Sequence, residues 1–201
     1  EGESAAGAVA AVRDARTQAV LPMQGKPLNA WRATPQRVAA FTLYQQLAAA
    51  LGLPSATGGE LIDTAPLRFE RLVLLFDPDA DGIHIGALLL LYLKRFTPTL
   101  LAQERVWMVR APMAGLRVAA RDTGETEDVW AYTPEQARTL RERAAAQTER
   151  WLVLREWRFR GLASLPADVL RSTCVDPVTR HAAVVTAAQM QQVIEVFGGS
   201  R

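Results

Sequence analysis

The sequence predicts an α/β fold built on a parallel sheet, and three observations carry that prediction. The stretch from Arg71 to Phe76 is an apolar run of strand length, the pattern of a strand buried on both faces. Ile83 to Leu101 is long, strongly apolar and broken only by Pro98, which suits a helix, and Val106 to Ala111 is a second strand-length run directly after it. Strand, helix and strand in that order form a βαβ unit, whose ligands sit beyond the carboxyl ends of its parallel strands. Asp77 stands at such an end.

The remaining elements follow in order. Ala5 to Ala15 is alanine-rich with Val9 and Val12 on one side, a short helix. Gln18 to Met23 is apolar and closed by Gly25, so it reads as a strand entering the loop Gly25-Lys26-Pro27-Leu28-Asn29. Thr34-Pro35 supplies an N-cap and a proline at the first helical position, and Val38, Phe41, Leu43, Tyr44, Leu47 and Leu51 continue at helical spacing until Gly52. Residues 54 to 66 are loop-like.

Beyond residue 113 the texture changes. Leu116 to Ala120 and Val129 to Tyr132 flank Asp122-Thr123-Gly124-Glu125, a hairpin signal, and Thr133-Pro134-Glu135-Gln136 caps a polar helix to about Gln147. Trp151 to Phe159 alternates bulky apolar and charged residues, as a half-buried strand does. Short helices near 166–172 and 187–197 frame a strand around 182–185. The chain therefore divides into residues 1–115, which carry the parallel sheet, and a smaller α+β appendage over residues 116–201.

Composition bounds the function. With 201 residues, 49% of them apolar, the chain can bury a true core. No apolar run reaches the roughly 18 residues of a membrane span and no secretion signal is visible, so no membrane partner is expected and a cytoplasmic setting is. The single Cys174 excludes an internal disulfide framework and a cysteine-built zinc cluster. Net charge is only +2, but of 23 basic residues only Lys26 and Lys94 are lysines. Arginines suit bidentate phosphate contacts and ion pairs alike. The chain begins at Glu1 without a methionine, as a piece of something longer would.

The strongest chemical feature is Asp77-Pro78-Asp79-Ala80-Asp81-Gly82. Two carboxylates about 4 Å apart repel by roughly 4 kcal/mol at an effective dielectric near 20, so such acids spread into water, take up protons or bind a cation. Oxygen ligands favour magnesium, with manganese or calcium as substitutes. A calcium-binding helix–loop–helix also opens D-x-D-x-D-G, but it needs a glutamate at the twelfth position, which here is Leu88, and it follows a helix instead of a strand.

The acidic turn keeps company. Glu1-Gly2-Glu3-Ser4-Ala5 resembles the E-G-D-S-A motif of the TOPRIM region in the B-type subunits of type IIA DNA topoisomerases, the gyrase and topoisomerase IV family. Residues 20–29, VLPMQGKPLN, resemble that family's I-L-P-L-[KR]-G-K-I-L-N. Residues 76–89, FDPDADGIHIGALL, resemble T-D-A-D-V-D-G-x-H-I-R-T-L-L. Phe159-Arg160-Gly161-Leu162-Ala163 and Asp176-Pro177-Val178-Thr179-Arg180 resemble Y-K-G-L-G and D-P-x-[ST]-R. These motifs occur in the family's order from Glu1 to about Gly198.

The resemblance implies a TOPRIM fold, a Rossmann-like parallel sheet flanked by helices. It implies that Glu1, Asp77 and Asp79 hold one or two magnesium ions with Asp81 as a further or water-mediated ligand, and that Glu1 serves as general acid or base. Lys26 and Arg160 match positions close to DNA, and His84 follows the acids where it contacts a ligand or caps the loop. The family's nucleophile is a tyrosine of an A-type partner, and its ATPase domain lies elsewhere in the parent chain, so this region is not expected to bind ATP. Tyr44 and Tyr92 sit on apolar helical patterns and read as core. The family also has an apolar strand entering the glutamate, without which the central sheet is one strand short.

The departures have a direction. Glu3 replaces Asp, Gln24 a basic residue, Pro78 Ala and Gly86 Arg, and Ala163-Ser164 replaces Gly-Glu. These losses remove positive charge or close backbone approach while the carboxylates persist. Two alternatives therefore accompany the topoisomerase reading: a catalytically degenerate scaffold that binds DNA or protein, and a stand-alone TOPRIM nuclease.

Overall fold

The structure, a computed structural model, describes residues 2–53 and 67–199. Glu1 and the loop expected over residues 54–66 lie outside them. The βαβ unit forms as the sequence predicts. Strand β1 (Leu72–Leu75) leads through the acidic turn into helix α4, and β2 pairs with β1 in parallel, Leu72 opposite Val106 and Leu75 opposite Val109. Here β2 is Val106–Val109 and α4 is Ala80–Phe96.

Helix α4 is apolar on nearly every side because it lies inside the molecule. Leu91 and Leu93 are wholly buried, packed with Leu47, Tyr44 and Val38, and burying a leucine contributes about 1.5–3 kcal/mol. Thr97 and Pro98 separate α4 from the short helix α5 (Pro98–Ala102), since proline lacks the N–H that would continue the ladder. The predicted core tyrosines are core: Tyr44 and Tyr92 stack with ring centroids 4.0 Å apart and planes 7° from parallel. Burial pushes both phenols up, Tyr92 to about 12.

Helix α1 spans Gly2–Val12. The single helix expected from Thr34 to Leu51 is two, α2 (Pro35–Ala39) and α3 (Thr42–Leu51), because Phe41 leaves helical geometry at φ −81°, ψ 115°. Apolar spacing continues across this break, so the pattern alone does not show it. The caps are as predicted: Thr34 accepts from Arg37 N–H, and Gly52 ends α3 in the left-handed region.

Residues 18–23 do not form the expected strand. Among the described residues β1 pairs only with β2, and a cleft of about 520 Å³ separates its outer edge from this segment. The lining includes Val20, Pro22, Leu72, Leu74 and Val9. An apolar segment with no ladder partner in reach stays irregular, since strand geometry is stabilised by cross-strand pairing.

The C-terminal half builds an antiparallel sheet, order β4-β3-β5, from β3 (Ala114–Ala120), β4 (Thr126–Ala131) and β5 (Trp151–Arg158). Gly124 makes the predicted turn at φ +75°. Helix α6 (Pro134–Ala146) is capped by Thr133, which accepts from Gln136 N–H. Strand β5 is less buried than its alternation suggests: only Trp157 is fully covered, while Leu152, Val153 and Leu154 remain exposed. It is an edge strand with a bulge, Arg117 facing Arg155 but Val118 facing Val153, which breaks the alternation at Leu154.

Helix α7 (Ala167–Leu170) continues into a wider turn over Arg171–Val175. Strand β6 (Ala182–Val184) then returns to pair antiparallel with β2, so the first sheet has the order β1-β2-β6. Helix α8 (Ala187–Val193) and a terminal turn over Ile194–Gly198 pack beside α4. No helix among the described residues is long and apolar enough to cross a membrane.

Candidate metal and nucleic-acid site

The acidic turn sits at the carboxyl end of β1, and each of its three acids is held by a different partner. Asp79 is the N-cap of α4: its Oδ1 accepts from Gly82 N–H at 2.8 Å, satisfying a donor that the helix itself leaves open. Half-buried Asp77 reaches across the molecule, and its Oδ1 accepts from Leu162 N–H at 2.8 Å. Asp81 pairs with Lys26 at 2.8 Å. That hydrogen bond, and then the lysine's charge, hold its carboxyl below the ordinary value of 3.8.

Two glycines make this packing possible. A Cβ on Gly82 would lie 2.1 Å from the Asp77 carbonyl oxygen, and one on Gly161 would lie 2.7 Å from Asp77 Oδ2. The D-x-D-x-D-G and R-G-L motifs, some eighty residues apart, thus meet at the Asp77 carboxylate. Their meeting is visible only in three dimensions.

The loop bearing Lys26 is built from several anchors. Asn29 accepts from Trp31 N–H at 3.0 Å and donates to the Phe197 carbonyl at 3.1 Å. Arg32 donates to the Gly198 carbonyl at 2.8 Å, Arg95 of α4 to the Ala33 carbonyl at 2.7 Å, and the Tyr44 hydroxyl to the Leu28 carbonyl. His84 stacks on Phe197 with centroids 5.5 Å apart, so its ring braces the terminal turn against α4. Arg160 is exposed beside Gly161, and its backbone N–H donates to Ser164 Oγ at 3.0 Å. Ile83, 61% exposed, adds an apolar surface next to the acids.

Glu3 and Gln24, two of the departures from the family pattern, meet: Gln24 Nε2 donates to Glu3 Oε1. The glutamine makes this contact without a positive charge. Sequence reasoning named Glu1, Asp77, Asp79, Asp81, Lys26, His84 and Arg160. The structure brings Asp81 to Lys26 and Asp77 to the backbone beside Arg160, while Glu1 lies outside the described residues. It adds Gly82, Leu162, Asn29 and Phe197, whose roles arise from contacts between distant segments.

The donor chemistry fits a hard divalent ion. All three acids offer oxygen, and the second oxygen of each receives no hydrogen bond from the described residues. Among those residues no three acidic, histidine or cysteine side chains gather as a metal-holding group, so a closed site needs a further ligand or a rotation of the acids.

A strand-end acidic turn on a βαβ unit defines a class, and comparison identifies it. The Toprim domain family model matches residues 1–111, and the chain belongs to that family. Within it the chain is gyrase B-like. It is 36% identical over 187 residues to the B-type subunit of the novobiocin-resistant DNA gyrase of Streptomyces niveus, covering 92% of this chain and 26% of that protein. It is 31% identical over 202 residues to the B-type subunit of DNA gyrase from Staphylococcus aureus, covering 99% and 29%. To the B-type subunit of DNA topoisomerase 4 from Haemophilus influenzae it is 30% identical over 186 residues, covering 92% and 27%. The chain thus spans under a third of the length of these relatives.

Proposed function

We propose that this chain is the magnesium-holding Toprim module of a type IIA DNA topoisomerase B-type subunit, supporting double-strand DNA cleavage and religation by a tyrosine of an A-type partner. The observation that carries the reading is the acidic turn: three carboxylates at the end of a parallel strand, with Gly82 letting the turn close on the Asp77 backbone and Gly161 letting the 160–162 segment approach the Asp77 carboxylate. In this reading Glu1, Asp77 and Asp79 hold the ion and Asp81 assists. Bound magnesium supplies charge stabilisation at the scissile phosphate.

The chain's own residues do the rest. Lys26 and Arg160 contact DNA phosphates, which position the duplex without reading its sequence, and Glu1 exchanges a proton with the attacking or leaving oxygen. His84 acts through Phe197, holding the start of α4 and the Lys26 loop in one arrangement. ATP binding belongs to another domain of the parent protein, and the setting is cytoplasmic.

The test is a plasmid cleavage assay with the full-length protein and its A-type partner in magnesium. Covalent cleaved complexes are expected with the natural sequence, and a loss of at least about a hundredfold with Asp77→Ala. Undiminished cleavage by that variant contradicts the reading. The lack of a converged three-ligand group among the described residues favours a second one, a scaffold without catalysis. It predicts DNA binding that is indifferent to magnesium and no cleavage by the assembled enzyme. Nicking by this chain without a partner marks a stand-alone nuclease instead.

A further inference from the structure

We propose that Ser164 is a positioning residue for Arg160: its hydroxyl closes residues 160–164 into a turn that holds the arginine beside the acidic turn, where it meets a phosphate oxygen. The proposal rests on reading Arg160 as a phosphate contact, and it gives a role to a residue that stands where the family pattern has glutamate.

The first observation is how fully the hydroxyl is used. Ser164 Oγ accepts from the Arg160 N–H at 3.0 Å and from the Gly161 N–H at 3.3 Å, and it donates to the Gly161 carbonyl at 2.6 Å. One proton and two lone pairs are all that a hydroxyl offers. The Ser164 N–H returns to the same Gly161 carbonyl at 3.0 Å, closing a tight turn over Leu162–Ser164. Ser164 is itself exposed, so its contacts serve the local backbone and not the core.

The second observation is where the backbone needs a lock. Strand β5 ends at Arg158, and the Phe159 N–H still reaches the Met113 carbonyl at 2.8 Å. Among the described residues the next two N–H groups, of Arg160 and Gly161, both end on Ser164. Leu162 is then fixed by its buried side chain and by its N–H on Asp77 Oδ1. Between these anchors stands Gly161, which must lack a Cβ to approach the Asp77 carboxylate and for that reason leaves the chain free to swing. Ser164 removes that freedom. The third observation is chemical. An ionised glutamate at this position has no proton for the Gly161 carbonyl, alanine makes none of the three contacts, and threonine keeps all of them. An arginine whose backbone is fixed in advance gives up less freedom on meeting a phosphate.

The test is the affinity of the full-length protein, assembled with its A-type partner, for a duplex oligonucleotide over a range of salt concentrations. Each phosphate contact contributes about 0.9 to the slope of log affinity against log salt. Arg160→Ala is expected to lower the slope by about that amount for each copy of the chain on the DNA. Ser164→Ala lowers it by at least about half as much and weakens binding about threefold at roughly 0.1 M salt. Ser164→Thr, which keeps the hydroxyl, retains the natural slope and affinity. Ser164→Ala added to Arg160→Ala changes nothing further, because both act on one contact.

Natural slope and affinity in Ser164→Ala, beside a clear loss in Arg160→Ala, overturn the proposal. So does an equal loss from Ser164→Ala with and without Arg160, the mark of a general weakening of the fold, or a Ser164→Thr protein that binds as poorly as Ser164→Ala. These outcomes leave Arg160 standing as a phosphate contact. A slope unchanged by Arg160→Ala removes that contact itself, and this proposal with it.

Discussion

The two sheets of this molecule are built on opposite plans. In the antiparallel sheet the strands pair through near neighbours, β3 with β4 across one turn and β3 with β5 across β4 and helix α6, and β4, β3 and β5 run to six, seven and eight residues. In the first sheet β1 and β2 carry four residues each and β6 three, and β6 comes from the far end of the chain. One edge of β1 faces a cleft across which residues 18–23 remain irregular. The locally closed sheet draws its strand pairing from near neighbours in sequence, whereas the sheet that presents the acids depends on distant segments for both its pairing and its acidic turn. The candidate site lies in the sheet built from distant segments, at a strand end where loops converge.

Mutations can sharpen that contrast. Leu91→Ala removes a wholly buried side chain of α4 and is expected to cost about 2–5 kcal/mol by urea unfolding. A cost under about 1 kcal/mol would show that the parallel half does not depend on α4. Gly82→Ala places a methyl 2.1 Å from the Asp77 carbonyl oxygen and is expected to cost about 1–3 kcal/mol, with the larger part of its effect on divalent-ion affinity. Ion binding left intact by this change would mean that the acidic turn is not held by close packing.

The antiparallel sheet should respond to smaller forces. Arg117 grips Asp128 with both ends of its guanidinium, at 2.6 and 2.7 Å, and the hydrogen bond holds that carboxyl below its ordinary 3.8. Stability from this pair is fully present above the ordinary carboxylate value and is lost as pH falls through the depressed one. Asp128→Asn should therefore lower the unfolding midpoint at pH 7, and the difference from the natural sequence should vanish in acid below that range. A difference that persists unchanged there would assign the loss to packing. Leu152→Ala, on the exposed edge strand, should change stability by less than about 0.5 kcal/mol.

The same contrast explains what the sequence made legible. The hairpin at Asp122-Thr123-Gly124, the Thr133 cap and the β1-α4-β2 unit were readable because turn residues, caps and apolar periods are local signals. The strand expected at 18–23 was misread because an apolar run shows readiness to pair and not the presence of a partner. The break at Phe41 was hidden by apolar spacing that continues across it, and the exposure of β5 by a bulge that has no signature in composition. The acids, Lys26, His84 and Arg160 were nameable from motifs. Their partners were not: Leu162 lies 85 residues from Asp77, and no local rule links Asn29 to the carbonyl of Phe197.

The measurement that bears most directly on the account is a Mn2+ titration followed by amide NMR signals, because the paramagnetic ion broadens only what lies near it. The account predicts selective broadening of residues 76–83 and 161–162 at low Mn2+, with β4, residues 126–131, unaffected, and loss of the selectivity in Asp77→Ala. Broadening that is absent, or spread evenly over both sheets, would contradict the claim that the acidic turn is the ion-binding site of this Toprim domain.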